Sequence, residues 1–263
     1  MSGKVLMVVG TTSSAVKSLL VAALCRIFAR KGMRVAPFKA QNMSNNAAVC
    51  PDGSEIGRAQ AVQAAAAGIE PTAEMNPVLL KPEADTRSQV VVLGRAWRTV
   101  PAHVYYREDT EMLWQAVTTS LDHLREKYEL VVIEGAGSPV ELNLKERDIV
   151  NMAVARYAQA PTLLVGDIDR GGVFAFFVGT MEVLAEWERN LMAGFVINKF
   201  RGKQDLLKSA MEFTERYTGC PTLGVVPYLR DLGLPEEDSV GFKSGAFDDA
   251  NPSGKAVEIA VID

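Results

Sequence analysis

Cysteine is scarce in this chain: three in 263 residues, at Cys25, Cys50 and Cys220, far apart and without a CxxC spacing. That excludes a disulfide framework and reads as reduced thiols in a cytoplasmic protein. Histidine is scarcer, with only His103 and His123, both in or near helical surface segments and read as structural. So few soft ligands argue against zinc. No uncharged apolar run is long enough to span a bilayer, and the opening Met-Ser-Gly-Lys-Val-Leu lacks a signal peptide's apolar stretch. Neither sign of charge dominates: 28 Lys and Arg face 32 Asp and Glu, a net charge of −4. This balance argues against a broad nucleic-acid or anionic-membrane surface, while leaving room for a local basic pocket. Internal repeats and low-complexity tracts are also missing. What is present, 48% hydrophobic and 23% charged residues, is the composition of a soluble globular protein with a core that needs no covalent staples.

The strand signals are short and almost wholly apolar, which predicts strands covered on both faces, as in a parallel sheet. They fall at 5–9, 34–38, 89–93, 130–133, 162–165, 194–197 and 223–226. Helical periodicity fills most of the gaps, at 17–31, 57–67, 108–127, 148–158, 173–188 and 203–217. The 57–67 segment is rich in alanine and glutamine, with a small-residue face. This alternation predicts an α/β doubly wound fold, a mostly parallel sheet with helices on both faces. Two stretches break the rhythm. Residues 41–56 are polar, with a turn signal at Pro51-Asp-Gly53, and read as a long functional loop. Residues 236–256 are acidic, then rich in Gly, Asp, Pro and Ser, and read as a linker. The strand pattern that follows, 257–263, is expected to open a further domain, which leaves 1–235 as the main domain.

The strongest local signal is Val5-Leu-Met-Val-Val-Gly10-Thr-Thr-Ser-Ser-Ala-Val-Lys17-Ser18 running into a helix. A strand, a tight small-residue loop and Lys-Ser at a helix start form a phosphate cradle. Loop amides and the helix dipole face the anion, Lys17 reaches the terminal phosphates, and Ser18 can ligate magnesium. The strict G-x-x-x-x-G-K-[ST] pattern is not met, because Gly10 lies seven residues before Lys17 and Val16 stands where a glycine is expected. A β-branched side chain is poorly suited to that position. Glu134 directly follows an apolar strand and precedes Gly135-Ala-Gly137, the place where sheet C-termini put ligands, and suits magnesium.

The blocks Phe38-Lys-Ala-Gln-Asn-Met-Ser-Asn-Asn46, Glu55-Ile-Gly-Arg-Ala-Gln-Ala-Val-Gln63 and Met75-Asn-Pro-Val-Leu-Leu-Lys-Pro82 follow in order. After them come Val132-Ile-Glu-Gly-Ala-Gly-Ser-Pro139, Asp167-Ile-Asp-Arg-Gly-Gly-Val-Phe174 and Gly194-Phe-Val-Ile-Asn-Lys-Phe-Arg201. Together they closely resemble the ATP-dependent N-terminal domain of the cobyric acid synthase family, which is related in fold to dethiobiotin synthetase and so to the P-loop NTPases. The resemblance implies a ligase of cobalamin biosynthesis. In it, ATP phosphorylates corrinoid side-chain carboxylates, and ammonia released from glutamine by a C-terminal glutaminase domain converts the acyl phosphates to amides. It implies ATP and magnesium as cofactors, with Gly10, Thr11, Lys17, Ser18, Asn198 and Lys199 on the nucleotide. Ser18, Glu55 and Glu134 would serve the metal, and Lys17 and Lys39 the transferred phosphoryl group.

Corrinoid contacts are expected from Gln41, Asn42, Ser44, Asn45, Ser138, Asp169 and Arg170, with Asn46, Glu141, Asn143 and Asp148 near the same cleft. Each residue also has a plainer reading. Lys39 suits a solvated strand end, Glu55 an acid at a helix N-terminus, Asn198 a strand-end turn, and Asp148 a cap for the helix that follows. Three rival readings stay open: a cobyrinic acid a,c-diamide synthase-type domain, a ParA/MinD-like ATPase switch, and a binding form disabled by Val16. The switch reading lacks that group's Lys-Gly-Gly loop signature, an amphipathic tail and a basic face. A homo-oligomer is compatible with the sequence.

Overall fold

The computed structural model describes residues 2–84, 87–101, 105 and 110–229. The predicted linker, the strand pattern after it and His103 lie outside the described residues. In chain order, β1 (Lys4–Gly10), α1 (Lys17–Arg30) and β2 (Val35–Phe38) come first. Three short strands follow, β3 (Gln41–Met43), β4 (Ala47–Val49) and β5 (Glu55–Gly57), then α2 (Arg58–Ala67). The middle of the chain holds β6 (Val78–Ala84), β7 (Arg87–Val92), β8 (Arg95–Pro101), α3 (Thr110–Lys127), β9 (Leu130–Glu134) and α4 (Met152–Ala158). The last part holds β10 (Thr162–Asp167), α5 (Val173–Val183), α6 (Glu186–Arg189), β11 (Met192–Phe200), α7 (Lys208–Thr218) and β12 (Thr222–Pro227).

Six strands form one sheet in the order β12-β11-β10-β1-β9-β2, and every pairing in it is parallel. The apolar strand runs exist because both faces are covered. Met7, Val9, Val131, Ile133 and Leu164 pack on one side with Leu113, Val117 and Leu121 of α3 and with α4 and α5. Their neighbours Val8, Val132 and Val165 pack on the other side with Val21 and Cys25 of α1 and Ala67 of α2. The period of two along a strand assigns alternate residues to opposite cores. The chain leaves β1 toward β2 on one side and returns from β9 to β10 on the other. A crevice therefore opens at the C-terminal end of β1, where open α/β sheets bind ligands.

Three expectations are corrected. The apolar run at 89–93 is not a central strand: β7 pairs antiparallel with β6 and β8 in a separate four-stranded sheet, order β3-β6-β7-β8. An apolar run reports burial, not which sheet does the burying. The β7–β8 turn is the two-residue Leu93-Gly94, both at positive φ (46° and 73°), the form that matches strand twist. The 41–56 stretch is not one irregular loop. It holds β3, which extends the second sheet beside β6, and the β4–β5 hairpin. The expected 173–188 helix is also two, α5 and α6, broken at Leu184 and Ala185, both extended.

Candidate active site

The loop after β1 is shaped by what fits beside its backbone. A Cβ on Gly10 would lie 2.9 Å from the Thr12 carbonyl oxygen, 3.0 Å from Ala15 Cβ and 3.1 Å from Lys17 Cδ. Ser13–Ala15 form a single 3-10 turn, and Val16 then takes φ 61°, ψ 43° before α1 begins. This is the left-handed region that a β-branched residue rarely enters, so the chain holds at Val16 the conformation for which a glycine is suited. Lys17 is buried, and its ammonium donates to the carbonyl oxygens of Thr12 (3.1 Å), Ser13 (3.4 Å) and Gly137 (3.1 Å). It thus ties the loop to the segment after β9.

Glu134 ends β9 with no solvent exposure. Its Oε1 accepts from Ser18 Oγ at 2.8 Å and from Lys39 Nζ at 2.8 Å, and its Oε2 from Gln63 Nε2 at 2.5 Å. Lys39, just past β2, is also buried, so the two opposite charges offset each other away from water. Four candidates separated widely in sequence, Lys17, Ser18, Lys39 and Glu134, therefore meet at the C-terminal end of the sheet. Their charge is felt beyond the site: burial, reinforced by the charge of Glu134, pushes the Cys25 thiol on α1 up to about 12.

The Ser18 hydroxyl and the Glu134 carboxylate are adjacent hard oxygen donors, which suits a magnesium ion that keeps phosphate oxygens and water as its other ligands. No cluster of three or more His, Cys, Asp or Glu occurs among the described residues, and such a site does not need one. Glu55 lies outside this group and pairs with Lys81 at 2.7 Å, part-exposed. Asn198, at the end of β11, is buried. It donates to the Ala15 carbonyl oxygen at 3.1 Å and accepts from its neighbour's amide, bracing the loop. Lys199 pairs with buried Asp167 at 2.8 Å. Thr11 is held by its amide on the Val165 carbonyl.

A cavity of 350 Å³ lies beside the loop, with Ser13, Gln41, Tyr105, Gly137, Ser138 and Glu141 among its walls. Gln41 accepts a hydrogen bond from the Tyr105 hydroxyl inside it. Asp148 also lines it, and its carboxylate accepts from the amides of Val150, Asn151 and Ala153, so it caps the approach to α4. Asn42 points inward to Gln60 (3.2 Å), Ser44 accepts from the Asn46 amide, and Asn45 donates to the Pro82 carbonyl. Asp169 and Arg170 stand apart from this cavity, Asp169 with Arg201 (2.9 Å) and Arg170 near Asp167 (3.8 Å). Asn143 is exposed and does not line the cavity.

Sequence reasoning passed over Gln60, Gln63, Asn76 and Asn151, all buried. Asn76 spans the Lys39 and Val78 carbonyls and the Gly57 amide. Asn151 braces the 135–138 segment through Ala136 and Ser138. The available signal was two glutamines three apart on an alanine helix, one face of a turn.

A parallel sheet whose first strand runs through a tight loop into a helix headed by Lys17-Ser18 defines a P-loop NTPase-type nucleotide-binding domain. Within that class, the chain belongs to the CobQ/CobB/MinD/ParA nucleotide binding domain family, whose model matches residues 6–240. It is similar to cobyric acid synthase of Chloroflexus aurantiacus, 59% identical over 243 residues that cover 92% of this chain and 50% of the relative. Cobyric acid synthase of Herpetosiphon aurantiacus is 56% identical over 262 residues, 100% of this chain and 53% of that protein. Cobyric acid synthase of Moorella thermoacetica is 55% identical over 259 residues, 98% and 50% respectively. The chain thus spans about half the length of the curated relatives it matches. Among solved structures, chloroplast FtsY of Physcomitrella patens aligns with 90% of this chain and 60% of its own, at 17% identity and a TM-score of 0.48.

Proposed function

We propose that this chain carries the ATP-consuming half of cobyric acid synthesis, the amidation of corrinoid side-chain carboxylates with adenosylcobyrinic acid a,c-diamide as acceptor. The observation that carries this reading is the convergence of Lys17, Ser18, Lys39 and Glu134 at the sheet's C-terminal crevice, in a chain more than half identical to cobyric acid synthases. In the first step a carboxylate oxygen attacks the γ-phosphorus of ATP and ADP leaves, forming an acyl phosphate. In the second, ammonia attacks the acyl carbon and phosphate leaves, giving the primary amide.

Both partners of the first step are anions, so fixed cations and amide dipoles must offset their repulsion. Lys17 and the loop amides take the β- and γ-phosphates, and Lys39 faces the phosphoryl group in flight. Ser18 and Glu134 would hold magnesium, which when bound neutralises phosphate-oxygen charge. Asn198 keeps the loop in register with β11 while Lys199 borders the base. The cavity is assigned to a carboxylate arm of the corrinoid, with Gln41 and Ser138 as neutral hydrogen-bonding partners. Asn42, Ser44 and Asn45 lie along the strand and turn that continue from Gln41. Asp169 and Arg170, paired with Arg201 and Asp167, are assigned to corrinoid contacts outside this cavity.

Ammonia is assigned to glutamine hydrolysis in the part of the relatives that this chain does not span, and the reaction to the cytoplasm. The test is incubation of the chain with MgATP, ammonium and adenosylcobyrinic acid a,c-diamide, followed by mass spectrometry and ADP release. Carboxyl-to-amide conversion matched to ADP is expected. ADP release or amidation only with cobyrinic acid, at the a and c positions, would overturn the substrate assignment.

A further inference from the structure

The helix α2 is mostly alanine and carries Gln60 and Gln63 inward, both with no solvent exposure. Burying a primary amide is costly unless each polar atom is used. Gln63 uses its nitrogen fully: Nε2 donates to Glu134 Oε2 at 2.5 Å and to the Ser18 carbonyl oxygen at 3.3 Å. The reversed amide would press oxygen against a carboxylate oxygen, so the nitrogen must face Glu134. The other end is unused. Gln63 Oε1 is buried and has no hydrogen-bond partner among the described residues.

We propose that Gln63 is the positioning residue of the cation-and-phosphate site: its nitrogen pins Glu134, and its oxygen receives a hydrogen bond from a water carried by the bound divalent cation. The inference rests on the magnesium reading above. Glu134 Oε1 is shared by Ser18 and Lys39, two groups that must both turn toward incoming ligands when ATP binds. Gln63 holds the second oxygen, so it keeps the carboxylate aimed while the first oxygen changes partners. Magnesium dehydrates reluctantly and keeps several waters, each a hydrogen-bond donor, which is the chemistry an orphaned acceptor at this place can use. Outer partners of this kind act on metal affinity through the ligand they orient.

The test compares the unaltered chain with Gln63→Met, which keeps length and helix propensity and removes both hydrogen-bonding functions. Manganese binding to the ATP complex is followed by electron paramagnetic resonance, and metal-free ATP binding by calorimetry. The expected result is about 10–100-fold weaker manganese binding with metal-free ATP affinity unchanged. A purely structural glutamine would lower the melting temperature and leave manganese affinity as it was, which overturns the proposal. Absence of any nucleotide binding to the unaltered chain overturns the proposed function as well. Should the variant not fold, the Gln63 side-chain amide signals of the unaltered chain decide by nitrogen-15 NMR. They should shift between metal-free ATP and MgATP, and identical signals would refute the role.

Discussion

The Lys39–Glu134 pair sets the stability of the site and can be tested by removing one charge. In Lys39→Met the carboxylate keeps Ser18 at 2.8 Å and Gln63 at 2.5 Å but loses its buried ion-pair partner, with side chains 5% and 1% exposed before the change. Breaking a buried pair by deleting one member costs about 3–5 kcal/mol. The two remaining donors place the expected loss near the lower end, about 3 kcal/mol. For a domain of this size that is a fall in Tm of about 6–12 °C. Urea unfolding of the unaltered chain, Lys39→Met, Glu134→Gln and the double variant gives the cycle. Because the single variants each strand a partner, the double variant should be more stable than additivity predicts by about 2 kcal/mol. Additive losses, or a Lys39→Met cost below about 1 kcal/mol, would show that the pair is not the desolvated contact described.

Three further outcomes follow from the same geometry. Gly10→Ala drives a Cβ to 2.9 Å from a backbone oxygen. It should cost about 1–3 kcal/mol and abolish ATP binding in a calorimetric titration. Val16→Gly releases left-handed strain worth about 1–2 kcal/mol against about 0.5–1 kcal/mol of added chain entropy, so urea unfolding should show no net destabilisation. Burial holds the Cys25 thiol at about 12 and the Cys220 thiol at about 11, the latter with help from Glu215. A raised thiol pKa stabilises the fold fully below the unfolded value, near 9, and that contribution fades as pH rises toward the folded values. Thiol labelling with a disulfide reagent at pH 8 should therefore be slow in the native chain and fast in urea. Rapid native labelling would contradict the burial of these helix and strand-end positions.

The parts of the fold legible in the sequence are those where one physical cause leaves one pattern. Strands covered on both faces read as apolar runs, and six of the seven such runs are the six strands of the parallel sheet. The seventh, at β7, looks the same because sheet membership leaves no trace in hydropathy. The strands β3, β4 and β5 were hidden because three-residue strands are too short to carry a period. Of the candidate site, the grouping of Lys17, Ser18 and Glu134 was readable because strand ends and helix starts of a parallel sheet gather at one edge. Gln63 was not, since an alanine-rich helix explains itself without it and the burial that singles it out is tertiary. Asp148 shows the reverse: its plain reading as a cap describes its three amide contacts, and the cavity wall is an added property of the same side chain.

The central claim is that the Gly10–Ser18 loop holds the phosphates of ATP in spite of its valine. Calorimetric titration of MgATP into the unaltered chain and into Lys17→Ala tests it directly. One saturable site per chain is expected, lost in the variant because the ammonium that bridges Thr12, Ser13 and Gly137 is gone. Equal binding by the two chains, or binding by neither, would contradict it.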